Sequence, residues 1–170
     1  MSGPDVRRVI AVVVTFNRIG LLQSLLERLD EVPELTEILV IDNASTDGTG
    51  EWLAGLDDRE TGDDRPTTAV LGRTLADNIG GAGGFHDGLA WAMERGADLA
   101  WLMDDDGLPD PGCLARLLEE RDLDFWGPLV VDEADPVGWS SRSGSPAAPG
   151  SCTSSPTSSE PRPAAGSRAS

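Results

Sequence analysis

The chain has 170 residues, and 39% of them are hydrophobic, which is enough for the core of one domain or of one domain followed by a tail. Its formal net charge is −17, and all 13 basic side chains are arginines. So acidic a chain lacks the clustered positive charge that binds nucleic-acid backbones, and its charge also argues against electrostatic adhesion to an anionic membrane.

The amino-terminal apolar run, residues 9–14, follows Arg7 and Arg8. This run is too short for a secretory signal sequence and far too short to span a bilayer. We therefore expect a cytoplasmic protein. Peripheral association with the inner face of the plasma membrane through other features stays compatible with the sequence.

Strand-like apolar runs alternate with segments of helical spacing along the first 130 or so residues. In chain order we predict a strand over 9–14, a helix with leucines at 21, 22, 25, 26 and 29, and a second strand over 38–43. A helix that includes Trp52 and Leu53, capped by Ser45 or Thr46, comes next, followed by a surface loop over 57–66 and a third strand over 67–72. A glycine-rich turn then leads into a helix with Leu89, Ala90 and Met93, and after it we predict a strand over 99–105, a helix within 109–122 and a fifth strand over 124–132.

This alternation predicts an α/β fold with a mainly parallel sheet. Ligands of such sheets lie at the carboxyl ends of the strands. Three polar segments fall at those ends, namely residues 15–18, 42–47 and 104–107. Their coincidence at one edge of the predicted sheet is the first indication of a binding site.

The composition changes after Pro136. Residues 137–170 are mostly Ser, Pro, Gly and Ala, which cannot build a packed core, so we predict a folded domain over 1–136 and a disordered tail over 137–170. A natural low-complexity tail and a slip of the reading frame near residue 137 both explain this change. Translating the downstream DNA in the other frames separates the two explanations.

Three consecutive aspartates, Asp104, Asp105 and Asp106, end the apolar strand 99–103. Runs of charge are usually solvated, but carboxylates held about 4 Å apart repel each other, by about 4 kcal/mol at an effective dielectric constant near 20. A hard cation such as Mg²⁺ or Mn²⁺ relieves that repulsion and commonly bridges to phosphates. We therefore predict a divalent metal site here.

The glycine-rich segment 80–84 allows a ligand to approach the backbone closely, and the start of the helix that follows favours anions. It is not a dinucleotide-binding fingerprint, because no G-x-G-x-x-G follows the first strand. A phosphate-binding loop of the G-x-x-x-x-G-K-[ST] type is excluded because the chain has no lysine. His86, the only histidine, is more simply a surface residue than a functional one.

Four motifs, "VVVTFNR", "ILVIDNASTDGT", "NIGGAGGF" and "WLMDDDG", occur in this order over about residues 8–131. Together they resemble the family 2 glycosyltransferases of the GT-A fold, and most of all the bacterial rhamnosyl- and galactofuranosyltransferases of cell-wall and polysaccharide synthesis. The resemblance implies the Rossmann-like, nucleotide-sugar-binding half of that fold. It also implies transfer, with inversion, of a sugar from a UDP- or dTDP-sugar to a glycan or a polyprenyl-linked glycan.

The resemblance also implies roles for individual residues. Asp104 and Asp106 match the outer positions of the family's D-x-D motif and would hold Mn²⁺ or Mg²⁺. Asp42 would contact the base. The nucleotide-sugar site as a whole would comprise Thr15, Asn17, Arg18, Asp42, Asn43, Asn78, Gly80, Gly81, Gly83, Gly84, Asp104 and Asp105.

The chain departs from the family after the D-x-D strand, where members continue with the acceptor site and the general base. The only carboxylate side chain after Pro136 is Glu160, so no catalytic base is identified. We expect the chain to bind donor weakly and to transfer sugar poorly or not at all. The alternative function is a non-catalytic nucleotide-sugar-binding fragment. A phosphohydrolase is disfavoured because "TFNR" offers no nucleophilic aspartate after the first strand.

Overall fold

A computed structural model describes residues 7–56, 68–120 and 122–128 of the chain. In this part the elements are β1 (Val9–Thr15), α1 (Ile19–Leu29), β2 (Leu35–Asp42), α2 (Thr49–Ala54), β3 (Ala69–Thr74), α3 (Gly80–Glu94), β4 (Leu99–Asp104) and α4 (Cys113–Leu117). The four strands are parallel and lie in the order β3-β2-β1-β4. The predicted α/β class with a parallel sheet is confirmed.

Strand β1 lies inside the sheet and is buried along its whole length. Its alternate side chains enter two separate cores. Ala11 and Val13 pack with the leucines of α1 on one face, whereas Ile10 and Val12 pack with Ala92 of α3 on the other. A strand buried on both faces needs apolar residues at every position, which explains the unbroken apolar run.

Helix α3 lies close to the sheet because glycines face β1. A Cβ atom added at Gly84 would lie 2.8 Å from Cγ1 of Val14. One added at Gly88 would clash with Cγ1 of Val12. These two glycines therefore allow the backbone of α3 to approach the strands, and they hold its first turn beside their carboxyl ends.

Strand β4 is only partly buried, although its apolar sequence favoured a buried strand. Within the described residues β4 pairs with β1 alone, so one of its edges has no strand beside it. The fifth strand predicted over 124–132 is wrong for residues 124–128, which form bends and irregular structure. Its remaining residues, the loop over 57–66 and the tail over 137–170 lie outside the described residues.

Several predicted boundaries also differ from the structure. The glycines at 80–84 belong to the first turns of α3 rather than to a turn before it. Helix α4 is only 5 residues long. The N-cap of α2 is Gly48, in the left-handed region, rather than Ser45 or Thr46. None of the described helices is long and apolar enough to cross a bilayer.

Candidate functional site

Polar residues end all four described strands and lie side by side. In the parallel register Thr15 of β1 pairs with Asp42 of β2, and Asp42 pairs with Thr74 of β3. On the other side of β1, Val14 pairs with Asp104. The structure thus brings the predicted ends of β1, β2 and β4 together at one edge, as the topology of a parallel sheet requires.

Asp105 is the buried member of the aspartate cluster and is 3% exposed. Its Oδ2 accepts a hydrogen bond of 2.7 Å from the hydroxyl of Thr15, which is itself 2% exposed. Its Oδ1 accepts a bond of 3.2 Å from Nη1 of Arg18. Both carboxylate oxygens of Asp105 therefore bond within the protein, and they connect β1 to the turn after β4.

Asp104 and Asp106 flank this buried carboxylate and are both exposed. Arg18 Nη1 also donates to Oδ2 of Asp106 over 3.0 Å, so one guanidinium nitrogen bridges two aspartates. Partial burial of the Asp104 carboxyl, with the negative charges of Asp106 and Asp105, raises its pKa. The pKa of Arg18 is raised, chiefly by its hydrogen bond to Asp105.

The loops after β1 and β2 are joined to each other by side-chain hydrogen bonds. Asn17, at a positive φ of 54°, donates its backbone N–H to Oγ of Ser45 over 2.8 Å and accepts the N–H of Thr46 at Oδ1 over 2.7 Å. Oδ2 of Asp47 accepts the N–H of Ile19 at the start of α1 over 3.0 Å. The hydroxyl of Thr49, which donates to Asp47, lowers the pKa of that carboxyl.

Asp42 and Asn43 are buried beneath these loops. Oδ1 of Asp42 accepts the N–H of Ser45 over 3.0 Å, but its buried Oδ2 bonds to no described residue. A Cβ atom added at Gly50 would lie 3.2 Å from that oxygen. Oδ1 of Asn43 accepts the N–H of Ile79 over 2.9 Å and so fixes the entry to α3.

The first turn of α3 presents an exposed backbone to the same edge. Oδ1 of Asn78 accepts the N–H of Gly80, which has a φ of +75°, over 2.9 Å. No atom lies within 4 Å of a Cβ added at Gly80 or Gly81, so open space surrounds both. Gly83 and Gly84 are turned toward Ile79 and Val14 instead. The amino end of a 15-residue helix is the positive end of its dipole and favours an anion.

A groove of about 800 Å³ begins at the aspartates and runs along β4. Asp104 and Asp106 line one end of it. Its walls are mostly apolar and include Trp101, Met103 and Trp126. Asp104 and Asp106 therefore belong both to the carboxyl edge of the sheet and to the lining of an apolar groove.

Sequence reasoning missed three neighbours of the predicted residues: Thr74, Gly50 and Asp47. Thr74 and Gly50 face the Asp42 carboxylate only because of strand register and the placement of α2, which no local pattern indicates. Asp47 had a local signal, because an aspartate side chain often accepts the backbone N–H two residues further along the chain, here that of Thr49.

A model of the family described as glycosyl transferase family 2 matches residues 10–137. The chain belongs to this family. The resemblance inferred from the motifs is confirmed.

Related sequences with assigned names include two bacterial transferases. An undecaprenyl-phosphate mannosyltransferase of Micrococcus luteus is 44% identical over 113 residues, covering 66% of this chain and 43% of the relative. The galactofuranosyltransferase GlfT1 of Mycobacterium tuberculosis is 38% identical over 135 residues, covering 76% of this chain and 41% of the relative. The chain thus spans about two fifths of these relatives.

Solved structures establish the fold. The mannosyltransferase PcManGT of Pyrobaculum calidifontis, in complex with GDP-Man and Mn²⁺, aligns with a TM-score of 0.58 at 23% identity, over 80% of this chain and 40% of that one. S. aureus TarS 1-349, in complex with UDP-GlcNAc, aligns with a TM-score of 0.53 at 19% identity, over 66% and 30%. The predicted GT-A fold is confirmed.

Proposed function

We propose that this family 2 chain binds a nucleotide-sugar donor together with a divalent cation and serves the transfer of the sugar to a glycan or a polyprenyl-linked glycan. The observation that carries the proposal is the position of Asp104 and Asp106. They are exposed at the carboxyl edge of the sheet and line the groove that runs along β4.

The residues at this edge fit a divalent cation. Asp104 and Asp106 offer the carboxylate oxygens that Mg²⁺ and Mn²⁺ prefer. A cationic guanidinium already lies against Asp106, so the cluster accepts positive charge there. No group of three or more His, Cys, Asp or Glu among the described residues forms a complete cage, and such cations usually complete their shells with phosphate and water. When bound, the cation would stabilise negative charge on the departing nucleoside diphosphate.

Most of the remaining predicted residues belong either to a buried support or to an exposed contact surface. Thr15, Asp42, Asn43 and Asp105 are buried and hold the loops in place. The exposed members, which we propose contact the donor, are Asn17, Arg18, Asn78, Gly80 and Gly81. Direct contact between Asp42 and the base would require access to an oxygen now covered near Gly50.

We propose that the acceptor approaches from the groove along β4, because the groove opens directly beside Asp104 and Asp106. Its apolar walls suit the hydrocarbon part of a lipid-linked acceptor. The M. luteus relative is named for an undecaprenyl-phosphate substrate. No residue of this chain is proposed as the catalytic base.

The test is calorimetric titration of the chain with UDP, dTDP and GDP, each with and without Mn²⁺. Asp106→Asn removes a proposed metal ligand. Glu94→Gln is the matched control, because Glu94 is an exposed acid at the opposite end of α3. We expect nucleotide binding by the unsubstituted chain and by Glu94→Gln only with metal, and a loss of at least about tenfold in Asp106→Asn. Nucleotide binding that needs no metal and is unchanged in Asp106→Asn would contradict the proposal.

The alternative function, donor binding without catalysis, is separated by a second assay. Donor sugar labelled in its ring is incubated with a polyprenyl phosphate acceptor, and labelled lipid is extracted. Labelled product above the level of Asp106→Asn supports a transferase, and donor binding without product supports the binding fragment.

A further inference from the structure

We infer that Arg18 is an exchangeable cation, which holds Asp106 before the metal binds and contacts the donor diphosphate afterwards. This inference rests on the proposed function. It concerns a positioning and binding role for one arginine, which the motif resemblance assigned only to the lining of the nucleotide site.

The first observation is the shared nitrogen. Arg18 Nη1 donates both to Asp105 over 3.2 Å and to Asp106 over 3.0 Å. Asp106 is exposed and Asp105 is buried, so the contact of Arg18 with Asp106 is the more easily broken of the two. The buried carboxylate, fixed by Thr15, keeps the guanidinium in place, whereas the exposed carboxylate can exchange it for another cation.

The second observation is the unused capacity of the guanidinium. Arginine carries five N–H donors, and Nε and Nη2 of Arg18 donate to no described residue. The side chain is 51% exposed. A planar fork with open donors is suited to paired phosphate oxygens. Arg18 directly precedes α1, so its backbone is fixed while its side chain stays accessible.

These observations imply a direct competition. A divalent cation and the Arg18 guanidinium both bind the exposed oxygens of Asp106, so each weakens the other there. When a metal binds Asp106, Arg18 would keep its hydrogen bond to Asp105. Its remaining N–H groups would then be able to donate to the diphosphate. Arg18 thus opposes the metal when it binds alone and favours the donor when both bind.

The experiment measures two affinities in the full chain, with folding checked by circular dichroism. One is the affinity for Mn²⁺ alone, and the other is the affinity for UDP at saturating Mn²⁺. In Arg18→Gln we expect Mn²⁺ to bind about threefold more tightly, since an exposed ion pair is lost. We expect UDP to bind about tenfold or more weakly, since charge-assisted hydrogen bonds are lost.

Two further variants separate contact from the general electrostatic field. Arg28→Gln removes the same charge from the other end of α1, where Arg28 lies 3.9 Å from Glu31, and should leave both affinities unchanged. Arg18→Lys keeps the charge but lacks the fork. Contact predicts affinities between those of Arg18→Gln and the unsubstituted chain, whereas a field effect predicts affinities equal to those of the unsubstituted chain.

Titration with uridine tests whether Arg18 contacts the phosphates of UDP. Because uridine lacks phosphate, its affinity should be the same in Arg18→Gln and in the unsubstituted chain. If the unsubstituted chain binds Mn²⁺ and UDP but Arg18→Gln leaves both affinities unchanged, or if Arg18→Lys matches the unsubstituted chain, the inference is overturned and the proposed function stands. If the folded, unsubstituted chain binds neither Mn²⁺ nor UDP, the proposed function fails and the inference fails with it.

Discussion

The contact between α3 and β1 predicts that a single methyl group at Gly88 destabilises the protein. A Cβ atom there would lie closer than 3.0 Å to Cγ1 of Val12 and 3.2 Å from Cγ1 of Ile41. Both partners are 0% exposed and have no room to retreat. Restoring ordinary carbon contacts of about 3.5 Å requires a shift of at least about 0.5 Å, and such overpacking costs about 1–3 kcal/mol. Alanine also has a higher helix propensity than glycine, and this gain of about 1 kcal/mol offsets part of the cost of overpacking.

The assay is urea unfolding of Gly88→Ala, with Gly81→Ala as the matched control. Gly81 lies in the same helix, and a Cβ atom added there meets nothing within 4 Å. We expect Gly88→Ala to lower the free energy of unfolding by about 1 kcal/mol, the difference between the two terms, and Gly81→Ala to leave it equal or slightly higher. A Gly88→Ala protein more stable than the unsubstituted chain, which is what helix propensity alone would give, would refute the claim that glycine contacts seat α3 on the sheet.

Three further predictions concern the charged groups. Thr15→Val removes the hydroxyl donor to the buried Asp105 carboxylate and should lower the free energy of unfolding in urea by about 1–3 kcal/mol; an unchanged value would show that this bond is dispensable. The raised pKa of Asp104 means that its charged form is disfavoured in the folded protein. Asp104→Asn should therefore raise the free energy of unfolding slightly at neutral pH, by less than about 1 kcal/mol because water screens this exposed group, while Mn²⁺ binding, followed by calorimetry, is lost. The hydrogen bond from Arg95 lowers the pKa of Glu37 in the folded protein. The charged Glu37 side chain therefore contributes fully to the free energy of unfolding above about pH 4.3, the ordinary pKa of Glu, and this contribution is lost as the pH falls through the pKa of the folded state. Glu37→Gln should make the free energy of unfolding depend less on pH in the acid range. An unchanged pH dependence would contradict the role given to the Arg95–Glu37 hydrogen bond.

Local sequence patterns predicted most of the sheet. Every residue of β1 had to be apolar because both of its faces are covered, and that requirement is visible in the run 9–14. The leucines of α1 recur with the period of a helix that packs one face on the sheet, and Leu22, Leu25, Leu26 and Leu29 are buried. The placement of polar segments at the strand ends then followed from the parallel topology.

The same patterns were poor guides where tertiary contacts decide. Glycines usually interrupt helices, so the segment 80–84 was predicted as a turn, yet Gly84 lies within α3 because a larger side chain would not fit against Val14. The apolar sequence of β4 predicted a buried strand, but β4 is only partly buried and, within the described residues, pairs with β1 alone.

Within the candidate site, residue type and spacing alone do not distinguish the three adjacent aspartates, and only the D-x-D resemblance singled out Asp104 and Asp106 as metal ligands. Alternation along the chain does not show which carboxylate is turned inward. The structure distinguishes them, because the turn after β4 buries Asp105 against Thr15 and leaves Asp104 and Asp106 exposed. The bridge from Arg18 joins residues 87 and 88 positions apart and leaves no local signal.

The position of the bound metal tests the central claim most directly. Substoichiometric Mn²⁺ is added to the ¹⁵N-labelled chain in the presence of UDP, and paramagnetic broadening of the backbone amide signals locates the ion. We predict broadening centred on residues 104–107 and on Thr15 to Arg18, whose loop lies against them, and its loss in Asp106→Asn. Broadening centred elsewhere, for example on the acidic residues between 57 and 64, or persisting unchanged in Asp106→Asn, would contradict the account.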